Sequence, residues 1–224
     1  MEGSVALIAE DLKHGAVAMA AGAVMPAKDD LHPEVDAVVR QSLNSCSQLM
    51  ASCASLALGP HELAVNVLKR SIIEMALKLH WATLSPGNAG YLLAAPREQA
   101  KAIFRANAET GKAKIVDKDG KDLTAAFIAE GGASKAHKPI SVEAIAKQAG
   151  LQDLYNVFYR FQSSYTHGIK LSEGGAETTR VSLVGLGAFG MLLGHIGVRW
   201  LVDRSRPDNE EIRSLLGLNS GLHT

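Results

Sequence analysis

VSLVGLGAFGMLLGHIGV, residues 181–198, narrows the choice of fold more than any other stretch of this chain. It runs 18 residues without Asp, Glu, Lys or Arg and carries Gly185, Gly187, Gly190, Gly194 and Gly197. Three architectures could host it. Gly185, Gly187 and Gly190 spell G-x-G-x-x-G, and Asp203 lies downstream, as in a dinucleotide-binding strand–loop–helix unit. That unit needs further strand–helix repeats after the acid, whereas residues 204–224 read as a polar tail. Nothing upstream alternates strand and helix either. A membrane span is disfavoured because His195 interrupts the run and no second segment would span. The remaining reading is a packed helix. Gly187, Ala188, Gly190, Gly194 and Gly197 recur at near-helical spacing, and each glycine costs a helix about 1 kcal/mol relative to alanine, so close approach of neighbouring helices has to compensate.

The rest of the chain points the same way. Aromatic residues make up only 5% of the sequence while hydrophobic residues make up 47%, a mix that suits close-packed helices better than a β-sandwich. Residues 1–24 read as one helix, or two broken near Gly15. From Glu34 to about Leu58, apolar residues fall at helical spacing: Val35, Val38, Leu43, Cys46, Leu49, Met50, Cys53 and Leu56. Gly59-Pro60 closes that helix. A third follows with Leu63, Val67, Ile73, Leu77 and Trp81 on one face, stopped by Ser85-Pro86-Gly87. Pro96 is expected to separate a short GYLLAA piece from a fourth helix, REQAKAIFRANAE. Ser141 is an N-cap candidate for a helix ending at Gly150, and another helix spans about Leu151 to Tyr165. The expected fold is an all-α helical bundle of about five or six main helices. It forms a single helical domain over residues 1–224, with a polar C-terminal tail at 204–224.

Residues 109–140 stand apart as a polar, glycine- and lysine-rich surface insertion in which Asp119-Gly120 could turn a small hairpin. Its lysines offer a mildly basic arm for a phosphate backbone or a plain solvated loop. Lys plus Arg equals Asp plus Glu at 23 each, which counts against a general nucleic-acid binder. Cys46 and Cys53 are two helical turns apart, about 10 Å at a rise of 1.5 Å per residue, too far for a disulfide. A reduced, cytoplasmic chain is expected, with no membrane partner. No His, Cys or Asp cluster has metal-ligand spacing, so neither a metal nor another cofactor is expected.

One segment carries chemistry: LQDLYNVFYRFQSSYTHG, residues 151–168. At about 100° per residue, Leu151, Leu154, Phe158, Phe161 and Tyr165 share a core face. Asn156, Arg160, Ser163 and His167 cluster on the far side. A guanidinium can hold two phosphate oxygens, and an imidazole can move a proton near neutral pH. RNA brings its own 2′-hydroxyl nucleophile, so this pair needs no metal. On the third helix Arg70 and Glu74 lie four residues apart, as an ion pair that fixes helix orientation or as support for the Arg160/His167 site. His61 reads as a helix-start residue, and His80 beside Trp81 as packing.

An arginine and a histidine near the end of a late helix in an all-helical chain resemble the HEPN superfamily. RFQSSYTH, Arg160 to His167, matches the longest of that hallmark's spacings. KRSIIEMALKLHW together with YRFQSSYTHG also looks like a widespread, largely uncharacterised helical family beside the HEPN proteins, over residues 61–84 and 151–170. The resemblance implies a homodimer whose facing Arg/His helices form a composite, metal-independent ribonuclease site in a defence or toxin–antitoxin system, with RNA and an antitoxin or other protein as partners. Arg160 and His167 would be catalytic, with Asn156 and Ser163 positioning the substrate. Many active members have a polar residue after the arginine, where this chain has Phe161. The competing expectation is a non-catalytic helical interaction module whose glycine-rich last helix packs against a partner.

Overall fold

The computed structural model describes residues 2–57, 59, 61–108, 110, 114–130, 139–160 and 176–218. They form an all-α helical protein. The helices are α1 (Glu2–Ala23), α2 (Pro33–Leu56), α3 (Glu62–Ala82), α4 (Pro86–Ala108), α5 (Thr124–Ala129), α6 (Val142–Gln148), α7 (Gln152–Leu154), α8 (Ala176–Asp203) and α9 (Asn209–Leu215), with a π-helical stretch at Tyr155–Tyr159 following α7. Two compact units emerge, Met1–Ala89 with Ser141–Thr224, and Gly90–Ile140.

The larger unit is built on four long helices. α1 packs on α2, α2 on α3, and α8 on all three. The helical spacing in α2 buries Val35, Val39, Leu43, Cys46, Met50 and Cys53. Burial pushes both thiols up to about 12, so Cys46 and Cys53 are protonated and inert at neutral pH. In α3 the buried residues include Val65, Ile72, Ile73, Ala76, Leu77, Leu79 and Trp81, whereas Leu63 and Val67 are exposed.

α8 is continuous through the glycine run. The dinucleotide fingerprint is therefore excluded by backbone shape, because Gly185, Gly187 and Gly190 all lie inside one helix. Their use is close approach. A Cβ on Gly197 would meet three Leu43 carbons at 3.1–3.2 Å, and one on Gly190 would stand 2.7 Å from the Met50 sulfur. Met50 is held from its other side by α1, where a Cβ on Gly15 would come within 2.5 Å of its methyl. Gly15 thus admits the Met50 methyl without breaking α1. The span Arg180–Asp203 is long and apolar enough to cross a membrane by composition alone, yet 56% of its most apolar window is buried within the fold, as a core helix would be.

Polar ties lock the ends. Asp36, buried on α2, accepts from Trp200 Nε1 at 3.0 Å and pairs with Arg204, whose Nε also reaches Asp29 at 3.0 Å. Arg204 has φ 55°, a left-handed conformation that an arginine adopts at a cost offset here by its two carboxylates. Arg40 caps α1 by donating to the carbonyls of Ala23 and Met25 at 3.1 and 2.5 Å. The segment after Asp203 holds more than a tail. α9 buries Ile212 and ties back through Arg199–Glu211 at 2.5 Å, His195–Glu211 at 2.9 Å and Arg213–Asp153 at 2.9 Å. Ser141 caps α6 as the sequence predicts, accepting from the Ala144 N–H at 3.1 Å.

In the smaller unit α4 passes straight through Pro96, contrary to the expected break. A proline forfeits one backbone bond and crowds the preceding turn. The flanking Ala, Leu, Arg, Glu and Gln residues carry enough helical propensity to bridge it. The polar segment 109–140 lies within this unit. Val116 and Asp122 form an antiparallel bridge around the Asp119-Gly120 turn, where Gly120 has φ 80°. Lys101 is buried and donates to Glu98 at 2.9 Å and to the Glu130 carbonyl at 2.6 Å.

Two predictions follow from this packing. Gly190→Val should destabilise the protein by about 1–3 kcal/mol despite better helix propensity, since Met50 has Gly15 behind it and no room to retreat; denaturant titration measures it. The second concerns acid. His80, buried in the last turn of α3 beside the Arg206 charge, is pushed down to about 4 mainly by burial. Its unfolded imidazole binds protons first, so stability falls from about pH 6.5 toward pH 4. At Glu211 and Asp153 burial alone would raise the pKa, but Arg199 and His195 at the first and Arg213 at the second hold these carboxyls below their ordinary values. Their contribution is present above about pH 4 and is lost as pH falls further. The melting temperature should therefore drop in two stages, and His80→Gln should abolish the upper stage alone.

Candidate functional site

The candidate site begins on α3 and on the segment that packs across it. Gly150, at φ 71°, turns the chain out of α6, and Leu151 and Leu154 bury themselves against the bundle. From Tyr155 the backbone widens. The Arg160 N–H donates to the Tyr155 carbonyl, five residues back, which is the π-helical bond. The next fully inward residue after Leu154 is consequently Tyr159, which regular α-helical spacing does not place there. Phe158 remains partly covered, its ring edge-on to Phe189 at 5.1 Å. Tyr155 and Tyr159 stack at 5.2 Å, which helps hold the wide turn.

The Tyr159 hydroxyl joins the two α3 residues singled out by the sequence. It accepts from Arg70 Nη2 at 2.9 Å and donates to Glu74 Oε2 at 3.0 Å. Lys78 pairs with the other Glu74 oxygen at 2.6 Å, and the Arg70 guanidinium lies 5.0 Å from the centre of the Tyr159 ring. Burial raises the Tyr159 pKa, with the Glu74 carboxylate acting in the same direction, so the phenol keeps its proton. Arg70 and Glu74 thus act as a pair through a tyrosine from another element.

On the outer side of the same stretch, Asn156 and Arg160 are exposed. The anchored turn fixes the backbone from which both project. Ser163 and His167 lie outside the described residues, as do Phe161 and Tyr165. Among the described residues no group of three or more His, Cys, Asp or Glu could hold a metal ion. Tyr159 is the residue that periodicity missed. The available signal was the cluster of three aromatic residues in YNVFY, which sits awkwardly on a single 3.6-residue stripe.

Tyr159→Phe should remove both hydroxyl bonds while keeping the ring, at a cost of about 1–2 kcal/mol in a denaturant titration. Glu74 retains Lys78 in that variant, so Glu74→Gln on the Phe background should add less than it does in the parent chain.

A family model described as a family of unknown function, DUF5677, matches residues 36–172. The match takes in Arg70 and Glu74 on α3 together with the whole Asn156–His167 segment. No curated protein and no solved structure matches. Covering more than half of the 224 residues and both halves of the candidate site, the match places this chain in the family of unknown function DUF5677.

Proposed function

We propose that this chain is a HEPN-like, metal-independent endoribonuclease, or a module derived from one, acting in a defence or toxin–antitoxin system. The observation that carries the reading is the π-helical stretch at Tyr155–Tyr159, pinned by Arg70 and Glu74 through Tyr159, with Asn156 and Arg160 on its exposed side. Such one-turn π segments recur at functional sites because they aim side chains that an α-helix would misplace. Tyr159 anchors the backbone beside Arg160, and Arg70 and Glu74 position Tyr159.

In the reaction, His167 takes the proton of a ribose 2′-hydroxyl, and that oxygen attacks the adjacent phosphorus. The bond to the 5′-oxygen breaks, giving a 2′,3′-cyclic phosphate and, after protonation, a 5′-hydroxyl. Arg160 holds two non-bridging oxygens as negative charge builds on them. Asn156 and Ser163 orient the strand. A homodimer that brings two Arg160/His167 helices together would complete the groove.

A second reading has its own support. Leu63 and Val67 on α3 and Val181, Val184 and Met191 on α8 are exposed aliphatic side chains on helices of the main bundle. They suit a helical interaction module that binds a protein partner without chemistry.

The test is cleavage of single-stranded RNA by the full chain in EDTA. Activity should persist in the chelator and yield cyclic phosphate ends. His167→Ala and Arg160→Ala should each lower the rate by about 10²–10⁴-fold with the circular dichroism spectrum unchanged. Tyr159→Phe should lower it less. Absence of cleavage, with a stable protein partner recovered instead, would favour the interaction module.

A further inference from the structure

An open pocket of about 600 Å³ lies within the larger unit, lined by the end of α3, the turn after α6 and the link leading into α9, with Arg160 not among its lining residues. That volume falls within the range of about 300–1,000 Å³ common to small-molecule sites. His80 lines it while only 2% exposed; the Asn209 side chain lies close enough to act on the imidazole, yet Nδ1 makes no hydrogen bond of good geometry. A buried ring nitrogen left without a partner is uncommon in folded proteins, and this one is able to bond a molecule bound in the pocket.

In the wall around the imidazole Asn209 donates to the Gly150 carbonyl at 3.2 Å, while other polar groups keep open positions. Gln148 gives its carbonyl oxygen to Trp81 Nε1 at 2.8 Å, which leaves its amide hydrogens for another acceptor. Among the described residues no hydrogen bond or ion pair engages the side chains of Arg206 or Glu210, although Glu210 and Arg213 attract each other at longer range. Asp208 uses one oxygen to cap α9, accepting from Glu211 N at 2.8 Å, and keeps the other. The lining carries one cation, Arg206, and two carboxylates, Asp208 and Glu210, with Leu84 and Pro207 as apolar wall.

A simple anion would meet a lining that carries one cation and two carboxylates. A simple cation would leave Arg206 unmatched. We propose that this cavity binds a small zwitterion, a free α-amino acid or a dipeptide, with its carboxylate on Arg206 and its ammonium on Glu210 and Asp208. The amide hydrogens of Gln148 and the neutral imidazole of His80 take the remaining polar atoms, and an aliphatic side chain rests on Leu84 and Pro207. The site is separate from the proposed ribonuclease groups and stands whether or not that chemistry is found.

The experiment uses the full chain, with calorimetric titration and Trp81 emission as paired readouts, because Trp81 is bonded to the cavity wall through Gln148. The probes are the free L-amino acids and glycyl-L-leucine, with N-acetyl-L-leucine and L-leucinamide as analogues lacking one charge each. Saturable binding of an amino acid or the dipeptide is expected, weakened at least about tenfold when either charged end is blocked. Arg206→Gln and Glu210→Gln, both at exposed positions, should each weaken binding by a similar factor without changing the circular dichroism spectrum. A preference for glycyl-L-leucine over every amino acid would identify the dipeptide as the occupant, and the reverse order the single residue. The proposal is overturned if neither class binds, if the blocked analogues bind as well as the zwitterions, or if both variants retain full affinity.

Discussion

The close approach of α8 to α1 and α2 is the constraint on which this bundle depends. Replacing side chains by hydrogen at Gly190, Gly194 and Gly197 brings the α8 backbone against Met50, Met19 and Leu43, side chains that would otherwise collide with it. The energetic logic is unlike that of an ordinary leucine-rich core. Glycine weakens the helix that carries it, so the seam is stable only because dispersion contacts across the shortened distance outweigh that loss. Met50 is suited to the position since its flexible thioether can fill the irregular gap between Gly15 and Gly190. Once α8 is seated, α3 packs on it, and the pinned turn at Tyr155–Tyr159 packs on α3. The candidate site thus inherits its position from the glycine seam, through α3 and through the direct contact of Phe158 with Phe189 on α8.

The ends of the bundle are held by a different kind of force. Arg204 reaches Asp36 and Asp29 from a left-handed backbone position, and Arg199 and His195 converge on Glu211. Asp36 is buried, so its charge would be costly alone. Arg204 and the Trp200 indole together make it tolerable. These polar clamps register α8 against α2 and the link before it, which a smooth apolar seam cannot do by itself.

Much of the fold was legible in the residues. Helical spacing in α2, the serine cap of α6 and the turn at Asp119-Gly120 are local signals, and local physics decides them. The glycine run was legible as packing because composition downstream of Asp203 could not supply further strand–helix units. What eluded the sequence was non-local. Whether Pro96 ends a helix depends on the balance between one lost bond and the propensity of its neighbours. The partners of Tyr159 lie more than eighty residues away, and nothing near YNVFY announces them. The exposure of Leu63 and Val67 shows the same limit, since periodicity marks a face as apolar without saying whether anything covers it. Of the candidate residues, Arg70, Glu74, Asn156 and Arg160 have described positions, and Ser163 and His167 lie beyond them.

The widened turn at Tyr155–Tyr159 also makes the direction of Arg160 a matter of counting. A π segment holds one residue more than the α-helical turn it replaces. Deleting Val157, an exposed residue there, would let the chain relax to ordinary pitch and leave Arg160 facing as it does now. Restoring ordinary pitch at unchanged length would instead rotate everything after the segment by about 100° about the helix axis and swing the guanidinium a quarter-turn around the cylinder. Homologues that lack the wide turn but keep the same number of residues would thus share the scaffold and yet present their cation to a different neighbour.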